Sequence, residues 1–328
     1  MNICMGNCFM ASRTLRGIRK VIGLRLLCSV TLLVGINWRG DASAQNANQG
    51  ELKTLSLGLV SEINRTAIEE HFRELVNYVA RKLAPASNIE GKVVVAPTPF
   101  ELVKLLEQKR VDFYMESVYP TYTINYVHDA GKTLLRRWKG GLAEYQSLIF
   151  TKRDSGIRRL DDLRGKTIAF EDPGSTSGYL MAKFYLQRRG FKLAEKKEFD
   201  ANASPGQIQY FFARSQEKLL DAVLSKRADA GAFSDDDHAQ LAAKEKSDIT
   251  VLAQTDRFPR HLVSVRADLP AALTGRLETI LLGMAEDDEG RRILSRTDQT
   301  LKFDRLPGGE VTLRKRLLES FYSTEINR

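Results

Sequence analysis

The feature that most constrains this chain is a regular alternation of strand-like and helix-like segments that begins near residue 52. Residues 52–60 (LKTLSLGLV) alternate as a strand does, and the apolar side chains of residues 68–83 fall on one helical face. The buried-type strand KVVVAP (92–97) follows. Thr98 and Glu101 then form a Thr-x-x-Glu capping pattern, which predicts the start of a second helix ahead of the strand VDFYME (111–116). This β–α–β–α–β order predicts a parallel sheet covered by helices.

The alternation continues in a second group of segments. Strand patterns occur at residues 145–152, 166–170, 228–233, 250–255 and 261–266, and the C-terminal region is helical. Few connections join the two groups, so we predict an α/β fold of two lobes linked by crossing segments near 145–152 and 252–260. Lobe 1 would comprise residues 52–146 and 258–328, and lobe 2 residues 147–257.

Residues 1–44 have the pattern of a secretory signal peptide. Several basic residues, the last at Arg25, precede an uncharged apolar run from Leu26 to Ile36, and Ala42-Ser43-Ala44 forms a small-residue cleavage site. The apolar run is about eleven residues long, whereas a membrane-spanning helix needs roughly 20. We therefore expect cleavage after Ala44 and a polar linker at 45–51; the alternative is an uncleaved membrane anchor.

Export would change both the cysteine content and the charge of the chain. All three cysteines (Cys4, Cys8 and Cys28) precede the cleavage site, so the exported protein has to be stabilised without disulfides. Residues 1–44 carry six basic and one acidic side chain, and their removal lowers the formal charge from +9 to +4. Such a mixed, mildly basic surface argues against nucleic-acid binding. The one basic-aromatic cluster, RRWK (136–139), is expected to be a solvated loop.

The stretch FEDPGSTSGYL (170–180) places three hydroxyl side chains between two glycines, at a predicted junction of strand and helix. The first N–H groups of a helix have no partner within the helix, and the helix dipole adds about half a positive charge there. Ser175, Thr176 and Ser177 would add hydroxyl donors, and Gly178 would let a ligand approach the backbone. Two interpretations stay open: a simple helix cap, or an oxyanion cradle.

The segment DLRGKTIAFEDPGSTSGYL (162–180) resembles the substrate-binding proteins of phosphate, phosphite and phosphonate ABC transporters. That family carries Leu-x-Gly-Lys followed by Asp-Pro-x-Ser-Thr-Ser-Gly. The likeness extends to RVDFYMESVYP (110–120), AVLSKRADAGAFSDD (222–236) and FPRHLVSVRADLPAALTGRL (258–277). The resemblance implies a type II periplasmic-binding-protein fold, in which two mainly parallel α/β lobes close over an oxyanion in a cleft.

The resemblance also assigns ligand-binding residues. Ser175, Thr176, Ser177 and Gly178 would hold the oxygen atoms of the anion from lobe 2, and Tyr119 would face them from lobe 1. Tyr119 and Tyr114 would screen the bound ligand from water. Glu116 and Ser117 belong to the same loop of lobe 1 as Tyr119, which the family uses as its second binding loop. Ser234 and Asp235 lie where the family often contacts the rest of the ligand, although Asp235-Asp236-Asp237 also fits a solvated helix start.

Two residues depart from the family pattern. Glu116 stands where the family commonly has a small residue; it could bind an ammonium group of the ligand, or turn to solvent or a neighbouring tyrosine. Gln216 stands where the family often has a ligand-facing histidine, and glutamine can donate a hydrogen bond but supplies no charge. Arg214 could supply one, although a surface arginine is usually only solvated.

The resemblance implies a monomeric periplasmic solute-binding protein that serves an ABC permease. Two alternatives are a binding protein of the same fold that signals to a membrane kinase, and a binder of an unrelated carboxylate or sulfonate. An enzyme has little support, because the sequence contains no nucleophile-elbow or phosphate-loop motif and its four histidines lack metal-ligand spacing. We expect no cofactor and no metal ion.

Overall fold

The computed structural model describes residues 53–62, 65–86, 89–196 and 206–322. The predicted signal peptide and linker lie outside these residues. The strands are β1 (Thr54–Val60), β2 (Glu90–Ala96), β3 (Phe113–Glu116), β4 (Gly131–Arg137), β5 (Glu144–Tyr145), β6 (Ser147–Lys152), β7 (Thr167–Phe170), β8 (Leu193–Glu195), β9 (Ile208–Phe212), β10 (Ala230–Ser234), β11 (Ile249–Gln254), β12 (Phe258–Pro259), β13 (His261–Arg266) and β14 (Phe303–Asp304).

The α-helices are α1 (Arg65–Leu83), α2 (Pro99–Glu107), α3 (Val118–Tyr122), α4 (Met181–Gln187), α5 (Gln216–Leu224), α6 (Asp235–Gln240), α7 (Ala243–Asp248), α8 (Ala271–Gly283), α9 (Asp288–Arg296) and α10 (Gly309–Tyr322). A 3₁₀ turn covers Leu160–Leu163, and π-helical turns cover Thr123–Val127 and Thr176–Leu180. No helix within the described ranges combines the length and apolar character needed to cross a lipid bilayer.

Two six-stranded sheets form the centres of the two lobes. Sheet 1 has the order β14-β4-β13-β3-β1-β2, and sheet 2 has the order β11-β6-β10-β7-β9-β8. The β1–α1–β2–α2–β3 unit of sheet 1 is parallel, as the alternation of segments predicts. We call the part of the chain around sheet 1 lobe 1 and the part around sheet 2 lobe 2.

The sheets are mixed, and their antiparallel strands flank the two crossings between the lobes. β4 and β13 pair antiparallel in sheet 1, and β6 and β11 do so in sheet 2. The chain passes from lobe 1 to lobe 2 by way of β5 and returns by way of β12, so the strands that flank the two crossings run in opposite directions. Between the sheets, β5 and β12 pair as a short ribbon, with Phe258 opposite Tyr145. We call this ribbon the hinge.

Apolar clusters cover both faces of each sheet. On sheet 1, α1 buries Leu75, Val76 and Val79 in one cluster with α8 and α9, and α2 forms another cluster on the opposite face. Sheet 2 has α4 on one face and α5 on the other. A separate cluster joins Leu313, Leu317 and Phe321 of α10 to both lobes and to the hinge.

The prediction of a solvated loop at residues 136–139 is wrong for its first two residues. Arg136 and Arg137 belong to β4 and are both buried. The guanidinium group of Arg136 donates two hydrogen bonds to the Asp304 carboxylate, and Arg137 donates to Asp298 Oδ2 at 2.9 Å. Carboxylates that lie far along the chain compensate for the loss of water around these charges.

Candidate functional site

A cavity of about 670 Å³ lies between the lobes, beyond the carboxyl ends of β1, β3 and β7. In open α/β sheets, ligands bind at this edge. Lobe 1 contributes Val60, Ser61, Glu62, Pro97, Thr98, Pro99, Glu116, Ser117, Tyr119 and Pro120; lobe 2 contributes Glu171, Asp172, Pro173, Gly174, Ser175, Thr176, Ser177, Arg214, Gln216 and Asp237; and Tyr145, Arg260 and His261 lie at the hinge.

The predicted junction of strand and helix at residues 170–180 is part of the cavity wall. β7 ends at Phe170, and the helix begins with the π-helical turn Thr176–Leu180 and continues as α4. Ser175 is the N-cap, since its Oγ accepts a hydrogen bond from Gly178 N at 3.0 Å. The same hydroxyl donates to Glu171 Oε2 at 2.8 Å. The capping interpretation therefore applies to Ser175, whose hydroxyl already has two partners.

Thr176 connects the two lobes across the cavity. Its Oγ1 lies 2.9 Å from Ser117 Oγ and accepts a hydrogen bond from Tyr119 N at 3.1 Å. Ser117 and Tyr119 follow β3 of lobe 1, whereas Thr176 follows β7 of lobe 2. Three of the predicted ligand-binding residues thus contact one another.

Ser177 and Gly178 have different roles at this turn. Ser177 lines the cavity, and its carbonyl oxygen accepts a hydrogen bond from the buried Ser147 Oγ at 2.6 Å, which fixes the turn on β6. Gly178 does not line the cavity. A Cβ atom at position 178 would lie 2.8 Å from Glu171 Cβ, so the close approach of the helix to the preceding loop requires glycine.

Glu116 is buried in the lobe 1 wall, so the interpretation in which it turns to solvent is wrong. Its Oε1 accepts a hydrogen bond from Val60 N at 2.6 Å and so connects the ends of β1 and β3. Burial raises the pKa of Glu116 to about 7, although the hydrogen bond from Val60 and the nearby Lys139 oppose the rise. Tyr114, predicted to screen the ligand, instead lies fully buried in the core.

Gln216 and Arg214 lie together where β9 leads into α5, and both line the cavity. Arg214 is exposed and adopts a left-handed backbone conformation with φ of 72°. Such a conformation is uncommon for a residue with a side chain and is found often at ligand sites. The backbone N–H of Arg214 donates to Glu171 O at 2.8 Å, which couples this loop to the Ser175 turn.

Ser234 and Asp235 do not line the cavity. Ser234 is fully buried and caps α6, since its Oγ accepts a hydrogen bond from Asp237 N at 3.1 Å. Asp235 forms an ion pair with Arg257 of the hinge region at 2.9 Å. Asp237, in the same first turn of α6, lines the cavity instead.

Three cavity residues at the hinge were missed by the sequence analysis: Tyr145, Arg260 and His261. They belong to segments that were interpreted only as crossings and strands. His261 pairs in register with Arg137, and burial together with the neighbouring Lys139, Arg137 and Arg260 lowers the pKa of its imidazole well below the usual range. His261 is therefore neutral at physiological pH.

The cavity contains more carboxylates than cations. Glu62, Glu116, Glu171, Asp172 and Asp237 line it, against the guanidinium groups of Arg214 and Arg260. Burial raises the pKa values of Glu171 and Asp237; a neighbouring aspartate adds to each rise, and a serine hydroxyl and Arg260 oppose it. A group that enters the cavity therefore meets a partly desolvated acidic wall.

Comparisons with known proteins agree with this architecture. XAC2383 from Xanthomonas citri, solved with a chloride ion, has a TM-score of 0.76 and 26% identity, over 84% of this chain and 100% of that chain. The structure of the same protein bound to ATP has a TM-score of 0.75. PhnD1 from Prochlorococcus marinus, solved with methylphosphonate, shares the fold with a TM-score of 0.60 and 17% identity, over 81% of this chain and 96% of that chain.

Two sequence comparisons give the same result. The phosphate-import protein PhnD of Mycolicibacterium smegmatis is 25% identical over 225 residues, which is 67% of each chain. A family model described as the periplasmic phosphonate substrate-binding protein of an ABC transporter matches residues 57–305.

The two mixed α/β lobes and the cleft between them define a type II periplasmic binding protein. Within that class, the chain belongs to the family of periplasmic phosphonate substrate-binding proteins of ABC transporters. This confirms the family and the fold class that the motif at residues 162–180 indicates. The family is one of substrate-binding proteins and not of enzymes, and its place is outside the cytoplasm.

Proposed function

We propose that this protein captures a small phosphorus oxyanion, such as phosphate, phosphite or a phosphonate, by closing its lobes over it, and that the closed form is recognised by an ABC permease. The observation that carries the proposal is the helix terminus at residues 175–177, which lies in the wall of a cavity between the lobes. An anion there would exchange its hydration water for the positive end of the helix.

The contacts of Thr176 support closure as the mode of capture. The hydrogen bonds that the Thr176 hydroxyl makes with Ser117 Oγ and Tyr119 N need the lobes within about 3 Å of each other at that point. The short hinge ribbon offers few backbone connections to resist a rotation between the lobes. Closure over an anion would add these inter-lobe bonds to the contacts of the ligand itself.

We propose further that the chain is exported and cleaved after Ala44, that it is monomeric, and that it binds no nucleic acid. Lobe 1 would comprise residues 52–146 and 258–328, and lobe 2 residues 147–257. The division of the strands between sheets 1 and 2 supports these boundaries.

The ligand class can be tested by calorimetry with phosphate, phosphite, methylphosphonate and 2-aminoethylphosphonate. ATP joins the panel because XAC2383 has been solved with it. At least one of the phosphorus oxyanions should bind tightly. If none of these compounds binds and a carboxylate or sulfonate does, the protein would instead be a carrier of an unrelated solute.

Replacing Ser177 with alanine tests the helix terminus without removing its cap. Loss of one hydroxyl bond to a charged ligand costs about 1.5–3 kcal/mol, so the affinity should fall by roughly 10- to 150-fold. Ser215→Ala is the matched control, since Ser215 caps α5 at the neighbouring junction but does not line the cavity. Calorimetry should show weaker binding for Ser177→Ala and unchanged binding for Ser215→Ala. Equal affinities in the two variants would contradict the proposed role of Ser177.

A further inference from the structure

The guanidinium group of Arg260 is held rigidly at the hinge end of the cavity. Its Nε donates a hydrogen bond to Asp236 Oδ2 at 2.9 Å, and its Cζ lies 4.5 Å from the centre of the Tyr145 ring. The side chain is only 15% exposed. An arginine with one edge bound by a carboxylate and one face covered by an aromatic ring has little freedom left to rotate.

The terminal nitrogens of Arg260 remain available to a ligand. Only its Nε has a hydrogen-bond partner among the residues that the structure describes, and neither Nη atom has one. Arg257, three residues earlier, has partners for both terminal nitrogens: Nη1 forms an ion pair with Asp235, and Nη2 donates a hydrogen bond to Glu144 O. Its side chain does not line the cavity. Two arginines of one segment thus differ in whether their charge reaches the cavity.

A full positive charge in this cavity would strengthen the binding of an anion at the helix terminus. The terminus offers only about half a charge, and the hydroxyls of Ser175 and Thr176 already bond within the protein. The carboxylates of Glu116, Glu171 and Asp237 also surround the cavity and repel an anion. Of the described cations that line the cavity, Arg260 is the one that is mostly shielded from solvent, because Arg214 is exposed and His261 is neutral.

We propose that Arg260 is a further ligand-binding residue of the site: its two Nη groups bind two oxygen atoms of the tetrahedral oxyanion opposite the helix terminus. The inference rests on the proposed function and assigns a further residue to it. Guanidinium groups bind two oxygens of a phosphoryl group with parallel hydrogen bonds. The ion pair with Asp236 fixes the edge that does not face the ligand.

The test compares Arg260→Gln, Arg260→Lys and the matched control Arg257→Gln by calorimetry with inorganic phosphate and methylphosphonate. Arg260→Gln should weaken binding of the preferred anion by about 30-fold or more, since both the charge and the paired donors are lost. Arg260→Lys keeps the charge without the fork and should fall between Gln and the wild type. Arg257→Gln removes an equal charge from the same segment and should bind as the wild type does.

A second measurement uses the unaltered protein, since a hinge substitution can disturb folding. In protein labelled with ¹⁵N-arginine, added phosphate should shift one arginine side-chain resonance and slow the rotation of its Nη groups. Arg257→Gln should keep that resonance, and Arg260→Gln should remove it. Wild-type affinity in Arg260→Gln, or an unperturbed arginine spectrum in saturated wild type, would overturn the role of Arg260 and leave the proposed function standing. Failure of wild type to bind any oxyanion would overturn both.

Discussion

Glu116 carries a carboxyl group into a place where little water can hydrate its charge. In the folded protein burial raises its pKa to about 7, against 4.5 for an exposed glutamate. Between these two pH values the folded state holds a proton that the unfolded state has lost. Stability should therefore fall as the pH rises from about 4.5 to 7 and stay low above it.

Replacing Glu116 with glutamine should stabilise the protein at high pH. The glutamine oxygen can still accept the hydrogen bond from Val60 N, and no charge is buried. A rise of about 2.5 pKa units corresponds to roughly 3 kcal/mol, so Glu116→Gln should unfold several degrees above the wild type at pH 8.

The two proteins should unfold at nearly the same temperature at pH 4.5, and thermal unfolding across this pH range measures the difference. If the difference in unfolding temperature between the two proteins were the same at every pH, the pKa of Glu116 would not be raised by folding.

Some site residues can be predicted from the sequence and others cannot. The run Ser-Thr-Ser-Gly identifies the cavity wall, because its residue types occur at one strand–helix junction. Arg260 could not be found in this way, since a lone arginine in a crossing segment has no local pattern. Its role depends on Asp236 and Tyr145, which approach it only in the folded chain.

At the scale of single helices, two glycines show how packing decides the effect of one substitution. Gly290 lies near the start of α9, and a Cβ atom there would meet the carbonyl oxygen of Met284 at 2.1 Å. Gly275 lies in the exposed middle of α8, and a Cβ there would meet no atom within 4 Å. The same change should therefore have opposite signs in the two helices.

We expect Gly290→Ala to destabilise the protein by more than about 2 kcal/mol, because the backbone of Met284 has to move. Gly275→Ala should stabilise it by about 0.5–1 kcal/mol, since alanine favours a helix interior. Chemical denaturation monitored by circular dichroism gives both free energies. Similar stabilities for the two variants would show that the chain around Met284 relaxes without cost.

Elements with strong periodicity were predicted well from the sequence. The apolar face of α1 and the capping pair of Thr98 with Glu101 in α2 are examples, since both signals are local. β4 was missed because its two arginines contradict a buried strand. Asp298 and Asp304, which pair with those arginines, lie more than 150 residues later, outside any local window.

At the scale of the whole molecule, one aromatic ring contacts both lobes and the hinge. The ring of Phe321 in α10 lies 5.9 Å from Tyr122 of lobe 1, 5.1 Å from Phe184 of lobe 2 and 5.9 Å from Phe258 of the hinge. The C-terminal helix therefore packs on both lobes at once. The sequence predicts that this segment is helical, but its amphipathic pattern does not say which surfaces it covers.

Phe321→Ala should lower the stability by about 3–5 kcal/mol, as other buried phenylalanine truncations do, and should loosen the contact between the lobes. The second effect should appear as a larger radius of gyration in small-angle X-ray scattering. Val311→Ala on the same helix is the control, since Val311 is 83% exposed and should change stability by less than about 0.5 kcal/mol. An unaltered radius with a lower melting temperature would restrict α10 to a purely local role.

The proposed export gives the position of β13 a consequence for folding, because it determines which lobe is completed first in a chain that emerges N-terminus first. Sheet 2 has all its strands once residue 254 has emerged. Sheet 1 is incomplete until β13 inserts between β3 and β4. The edge of β3 therefore stays unpaired after most of the chain has emerged. The sheet of lobe 2 is therefore complete first, and the residues after 254 have to pack into lobe 1 before a ligand can be held.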